Sequence, residues 1–143
     1  VEAVVAQSAK RVLALPTGDV VTVKLRFKSG ATGFVGAISA TPYYGRFTVF
    51  GNEMWAEARD DAHPQDGGRT HLIICGKDGV QHSQTFENNY GEKKDPVRAN
   101  LEEWVDAVEG RGDYRFTDTQ RIGNVAVLEA IAKSVRTGAW VDV

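Results

Sequence analysis

The hydrophobic period of this chain changes once, close to residue 95, and that single change limits its fold more than any other feature. Before it, apolar and polar residues alternate. Val21, Val23, Leu25 and Phe27 fall on one side, and Thr22, Lys24, Arg26 and Lys28 on the other. That is the pattern of a half-buried antiparallel strand with one apolar face. After the change, apolar residues recur at helical spacing. Strands first, then two helices, then a last strand predict an α+β fold. The expected form is a two-layer domain, an open and mainly antiparallel sheet with two C-terminal helices packed on one face and a final strand.

The strands can be bounded by their turn chemistry. Val1 to Ala9 already reads as strand. Ser29-Gly30 turns the strand that starts at Val21 into a second one over about Thr32–Thr41, where glycine can take positive φ at little cost. That second strand carries Phe34 and Ile38 on one face and Gly33, Val35, Ala37 and Ser39 on the other, small enough for another layer to approach. Pro42 ends it, because proline cannot donate to a ladder. Phe47–Phe50, a Gly51-Asn52 turn and Met54–Ala58 form a hairpin. The segment 60–68 is polar, with Pro64, Gly67 and Gly68, and reads as a loop. Thr70–Cys75 and Val80–Phe86 are paired strands around Lys77-Asp78-Gly79. The segment 87–94 is a further polar loop.

Asp95 is a suitable N-cap and Pro96 a suitable first helical residue. Val97, Leu101, Trp104, Val105 and Val108 then make one apolar stripe, and Gly110 and Gly112 end the helix. Thr117-Asp118-Thr119-Gln120 is a capping box that opens a second helix. Its expected buried stripe is Ile122, Val125, Leu128, Ile131, Ala132 and Val135. Gly138 stands where a left-handed cap belongs, and Ala139–Val143 is the closing strand. Trp104 and Trp140 fall on apolar stripes and are expected in the core.

Composition narrows the class. The 143 residues suit one domain, residues 1–143, large enough to hold a core without disulfide or metal. A net charge of −2 speaks against nucleic acid and anionic membrane as partners, since both reward a cationic excess. No apolar run is long enough to span a membrane. The one cysteine, Cys75, sits among Ile73, Ile74 and Gly76 and reads as a small buried hydrophobe in a reducing, cytoplasmic protein. The chain begins at Val1, and its single methionine is Met54. That start is expected to mark a fragment of a longer protein.

Candidate chemistry is sparse. Gly30, Gly33 and Gly36 approach the spelling of a dinucleotide loop, but they lie in a hairpin and a strand, with no helix N-terminus to receive a pyrophosphate. His63, His71, His82 and Cys75 show no metal-ligand spacing. There is no nucleophile elbow. His82 shares a strand face with Val80 and Phe86 and is read as a hydrogen-bonded core residue rather than a base. Tyr43, Tyr44 and Arg46 gather beside Pro42. They are the candidate substrate-binding residues, because phenols and a guanidinium can hold a polyol or a carboxylate; a turn packed by aromatics is the plainer alternative. Trp55 alternates with Glu57 and Arg59 on a polar face, where a tryptophan marks a contact surface.

Several segments resemble one family. Lys24-Leu25-Arg26-Phe27-Lys28-Ser29-Gly30-Ala31-Thr32-Gly33 resembles a hairpin of the Gfo/Idh/MocA oxidoreductases, the family of glucose–fructose oxidoreductase and inositol dehydrogenase. Phe47-Thr48-Val49-Phe50-Gly51-Asn52-Glu53 is similar to the segment that follows, although Met54 stands where a second glycine is usual. The stretch from Val127-Leu128-Glu129-Ala130-Ile131 through Ser134 and Gly138 to Val143 is similar to the family's last helix and closing strand.

The resemblance implies a C-terminal domain of an NAD- or NADP-dependent oxidoreductase acting on a sugar, polyol or related substrate. It implies an N-terminal Rossmann domain as partner, carrying the cofactor and catalytic residues. No catalytic, cofactor or metal residue can be carried onto this chain, which is expected to bind no cofactor alone and to be inactive alone. It also implies a homo-oligomer through the open sheet face, for which Lys24, Arg26, Trp55 and Arg59 are the candidate contacts. Two other readings stand beside it. One is a stand-alone dimerisation or interaction module without activity. The other is a small enzyme with a pocket at His82.

Overall fold

The computed structural model describes residues 1–12, 15–16, 18–63, 66–87 and 96–143. The N-cap expected at Asp95, the loop over 88–94 and Pro64 lie outside the described residues. The strands are β1 (Ala3–Ala9), β2 (Val20–Arg26), β3 (Thr32–Ile38), β4 (Gly45–Phe50), β5 (Met54–Asp60), β6 (Arg69–Gly76), β7 (Gln81–Glu87) and β8 (Val141–Asp142). The helices are α1 (Pro96–Val108) and α2 (Asp118–Thr137). The class is α+β, as the change of period implies. The strands form two four-stranded antiparallel sheets, β3-β2-β1-β8 and β4-β5-β6-β7. The chain divides accordingly into two compact units, one of Val1–Thr41 with Tyr114–Val143, the other of Pro42–Asp113.

In the first unit, the alternation in β2 sets the two faces. Val23 pairs with Ala6 and Leu25 with Val4, so their side chains share one face. Lys24 pairs with Val5 and Phe34, on the opposite face. Helix α2 lies on the Val23 face. Val4, Ala6, Val23 and Ala130 form the buried cluster, with Val21, Leu25, Val127, Ile131 and Val141 packed around it. Full burial of a valine contributes roughly 1.5–3 kcal/mol, so a few such residues suffice to seat the helix.

The face by which α2 seats differs from the expected one. Ile122, Val125, Leu128 and Val135 are exposed, and Ala130 and Ser134 are buried. The helix carries apolar residues on more than one side, and the side with small residues wins because it lets the helix axis approach the strand. Ser134 accounts for part of this. Its Oγ accepts from Ala6 N at 2.9 Å and donates to the Ala139 carbonyl at 2.6 Å. Strand β8 pairs only with Ala3 and Val4 of β1. Ser134 therefore supplies the partner that a longer β8 would have given Ala6. The capping box at Thr117 and Gln120 is formed, and Gly138 caps the helix at φ 68° with its N–H on Ser134 O.

A second buried polar residue, Asp19, holds the connection that leads into β2. Its carboxylate accepts from Arg11 N and Val12 N, each at 2.7 Å. Gly18 beside it has φ 88°, and a Cβ there would meet Ala9 O at 2.7 Å, so the position requires glycine.

In the second unit, β4–β5 and β6–β7 form the two expected hairpins, and β5 also pairs with β6. One face carries Phe47, Val49, Met54, Ala56, Leu72, Ile74 and Phe86; the other carries Arg46, Glu57, Arg59, His71 and Thr85, with Trp55 and Cys75. Cys75 is buried, as its apolar neighbours implied. The α1 stripe is not: Val97, Leu101, Trp104, Val105 and Val108 are all exposed. Trp104 and Trp140 are 44% and 49% exposed and so do not belong to a core. For Trp140 the reason is local. It follows the helix cap, and the guanidinium of Arg26 lies over its ring at 5.3 Å, which keeps the indole at the surface.

Candidate functional site

Neighbouring strand ends of the second sheet gather most of its polar chemistry. Gly45 pairs with Asp60, and Asp60 with Thr70, so the start of β4, the end of β5 and the start of β6 are side by side. Tyr43, just before β4, brings its hydroxyl to 3.5 Å from Asp60 Oδ2, and Thr70 donates to Asp60 Oδ1 at 2.5 Å. The Tyr43 ring meets His63 edge-on at 5.5 Å. Partial desolvation, then the charge of Asp60 and its hydrogen bond, raise the Tyr43 pKa above the ordinary phenol value. The phenol stays protonated and able to donate throughout the neutral range.

Next to this group lies a second one. His71 is bracketed by Asp61 Oδ1 at 3.0 Å from Nε2 and by Thr85 Oγ1 at 3.2 Å from Nδ1. Both ring nitrogens are engaged, so the imidazole is held in orientation.

Tyr44 and Arg46 form a third group. The Arg46 guanidinium lies 5.6 Å from the Tyr44 ring, and its Nε is 3.3 Å from Glu57. The turn beside Pro42 thus brings Tyr44 and Arg46 together and sends Tyr43 to Asp60. Arg46 already has a carboxylate partner, which weakens it as a clamp for a substrate carboxylate. In the sequence His71 stood only as a metal-ligand candidate without the right spacing, and Asp60 and Asp61 only as part of a polar loop beside His63. The signal available was the spacing of Asp60 and Thr70 at the two ends of one hairpin, which puts them opposite each other.

The remaining candidates fall on two sheets. Lys24 and Arg26 are on β2, exposed, with Arg26 bound to Glu2 at 2.9 Å. Trp55 and Arg59 are on β5, Trp55 opposite Cys75 and Arg59 opposite Arg46 and His71. His82 is exposed on β7 and faces Ile74.

The described residues do not suit a dinucleotide. Gly33 and Gly36 are inside β3, and Gly30 is in its hairpin turn. The first turn of α2 is closed by its own Thr117 and Gln120 and carries Asp118, which repels a phosphate. Among the described residues no group of three or more His, Cys, Asp or Glu could hold a metal ion. No described helix is long and apolar enough to cross a membrane.

The model of the C-terminal alpha/beta domain of the oxidoreductase family Gfo/Idh/MocA matches residues 1–143, the whole of the chain. The chain belongs to this family. Comparison by sequence with curated proteins found no match. Solved structures share its fold. The aldose-aldose oxidoreductase of Caulobacter crescentus, complexed with glycerol, is 20% identical, with TM-score 0.72 over 99% of this chain and 41% of its own. An oxidoreductase of Agrobacterium radiobacter, in complex with NAD+, L-tartaric acid and magnesium, is 22% identical, with TM-score 0.60 over 99% and 43%. The WlbA dehydrogenase of Bordetella pertussis, in complex with NADH and UDP-GlcNAcA, is 16% identical, with TM-score 0.57 over 99% and 40%. The chain thus spans about two-fifths of the length of the structures it matches.

Proposed function

We propose that residues 1–143 serve together as the substrate-side C-terminal domain of an NAD- or NADP-dependent oxidoreductase of the cytoplasm, acting on a sugar, a polyol or a related hydroxylated substrate. The observation that carries this is the family match across the entire chain. On this reading, an N-terminal Rossmann-type domain in the same polypeptide holds the coenzyme and the catalytic groups. The coenzyme supplies hydride transfer there. This chain's residues bind and orient the substrate.

Tyr43, with Asp60 and Thr70 behind it, donates to or accepts from substrate hydroxyls, and Tyr44 and Arg46 stand in the adjoining group of the same turn. The negative charge of Asp60 favours a neutral polyol over an acid. Open sheet faces form the contact between copies, with Lys24 and Arg26 on the first sheet and Trp55 and Arg59 on the second as the contact residues.

Calorimetric titration tests the division of labour. NADH or NADPH added to this chain alone should give no binding heat, and the longer polypeptide should bind one of them. Micromolar binding by the chain alone would overturn the assignment. In the longer polypeptide, Tyr43→Phe should raise KM for a polyol several-fold and change kcat little.

A further inference from the structure

We propose that the outer flank of α2, formed by Val125, Leu128, Ala132 and Val135, is the seat on which the N-terminal domain of the same polypeptide packs. The proposal rests on the reading above, that such a domain exists. The helix has three distinct sides. Val127, Ala130, Ile131 and Ser134 are turned to β1 and the core. Glu129, Lys133 and Arg136 form a charged side, which is what solvent-facing helix surface requires. Val125, Leu128, Ala132 and Val135, spaced three, four and three apart, form a second apolar stripe. Val125 is 64% and Leu128 59% exposed. Arg121, which shares that flank, is drawn aside to Asp118 and to the Tyr114 ring, 5.4 Å away, so it does not cover the stripe.

A single-layer helix on a sheet needs one apolar stripe, and the core of the first unit takes one. The other is apolar area with no duty inside that unit. Two observations select its occupant. Each matched structure carries more than half its length outside the shared region, so the relatives hold a further body of chain that must pack somewhere. The family model describes the shared region as C-terminal. A stripe of four residues on a straight helix is also the shape that a second helix fills by ridge-into-groove packing.

The test uses the full polypeptide and the pair Val125→Glu with Leu128→Glu. Both positions are exposed on α2, away from Ser134, so the helix keeps its seat. Retained slow exchange of the Ala6 N–H, which Ser134 binds, verifies that directly. In the unsubstituted protein, heating should give one transition that NADH or NADPH raises. In the variant it should give two, of which the coenzyme raises only one. A Val125→Gln, Leu128→Gln pair should show the same separation more weakly. One unchanged transition in the variant would overturn the seat and leave the oxidoreductase reading standing. No coenzyme effect on the unsubstituted protein would overturn both. Loss of a dimer by light scattering, with coupling intact, would assign the stripe to a second copy instead.

Discussion

The two units have the same parts and use them differently. Each has a four-stranded antiparallel sheet and one helix. In the first, α2 covers the sheet, and Val4, Ala6, Val23, Ala130, Asp19 and Ser134 are buried. In the second, the α1 stripe is open to solvent, and among the described residues only Cys75 is buried. Strand pairing and polar ties across the sheet order this second unit: Arg69 to Glu87, Arg46 to Glu57, His71 to Asp61 and Tyr43 to Asp60. Ion pairs at the surface add little stability. Apolar content alone therefore does not make a core. The first unit gains one because small residues let the helix come close enough to exclude water.

The largest test of this contrast is a charge placed in each sheet. Val4→Asp puts an unpaired carboxylate beneath α2 and should cost on the order of 4 kcal/mol. Val49→Asp, on the open face of the second sheet, should cost under about 0.5 kcal/mol. Urea unfolding followed by circular dichroism measures both. Equal losses would show that the second sheet is buried in solution and would break the comparison.

A smaller effect separates buried from exposed hydrogen bonds. Ser134→Ala leaves the Ala6 N–H unpaired and should cost roughly 1–3 kcal/mol. Thr85→Val, at an exposed position, removes one partner of the half-buried His71, whose other nitrogen keeps Asp61, and should cost under about 0.5 kcal/mol, since surface changes rarely cost more. The same unfolding curves decide it. A Ser134 loss no larger than the Thr85 loss would mean that water reaches Ala6.

Much of this architecture was legible in the sequence. Alternation in Val21–Lys28 gave the faces of β2 correctly, because a period of two leaves no freedom once one face is buried. The capping box at Thr117 and the glycine at 138 bounded α2, because those signals are local. The seat of α2 was not legible. Ile122, Val125 and Leu128 are more apolar than Ala130 and Ser134, and nothing in a helical period says that close approach outweighs hydrophobicity. The division into two sheets was hidden for a similar reason, since strand patterns do not state which strands pair. Of the candidate site, the Tyr43-Tyr44-Arg46 cluster was visible as residue types. Its partners were not, because Asp60 and Asp61 read as loop until the register of β5 with β6 placed them.

The finest distinction concerns the polar ties themselves, and Tyr43 reports on them through pH. Desolvation and Asp60 hold its pKa above the ordinary phenol value. The unfolded chain lacks those contacts, so folding favours the protonated phenol. The contribution to stability is complete below the unfolded pKa and is lost as pH rises through the higher folded value. Absorbance titration near 295 nm, taken as the difference from Tyr43→Phe, isolates this residue from the other tyrosines. Its midpoint should lie above that of a free phenol. Asp60→Asn removes the charge and should move the midpoint part of the way down, with the desolvation part remaining. No movement would mean that Tyr43 and Asp60 are not in contact in solution, and the second unit would then have one fewer tie ordering the end of its sheet.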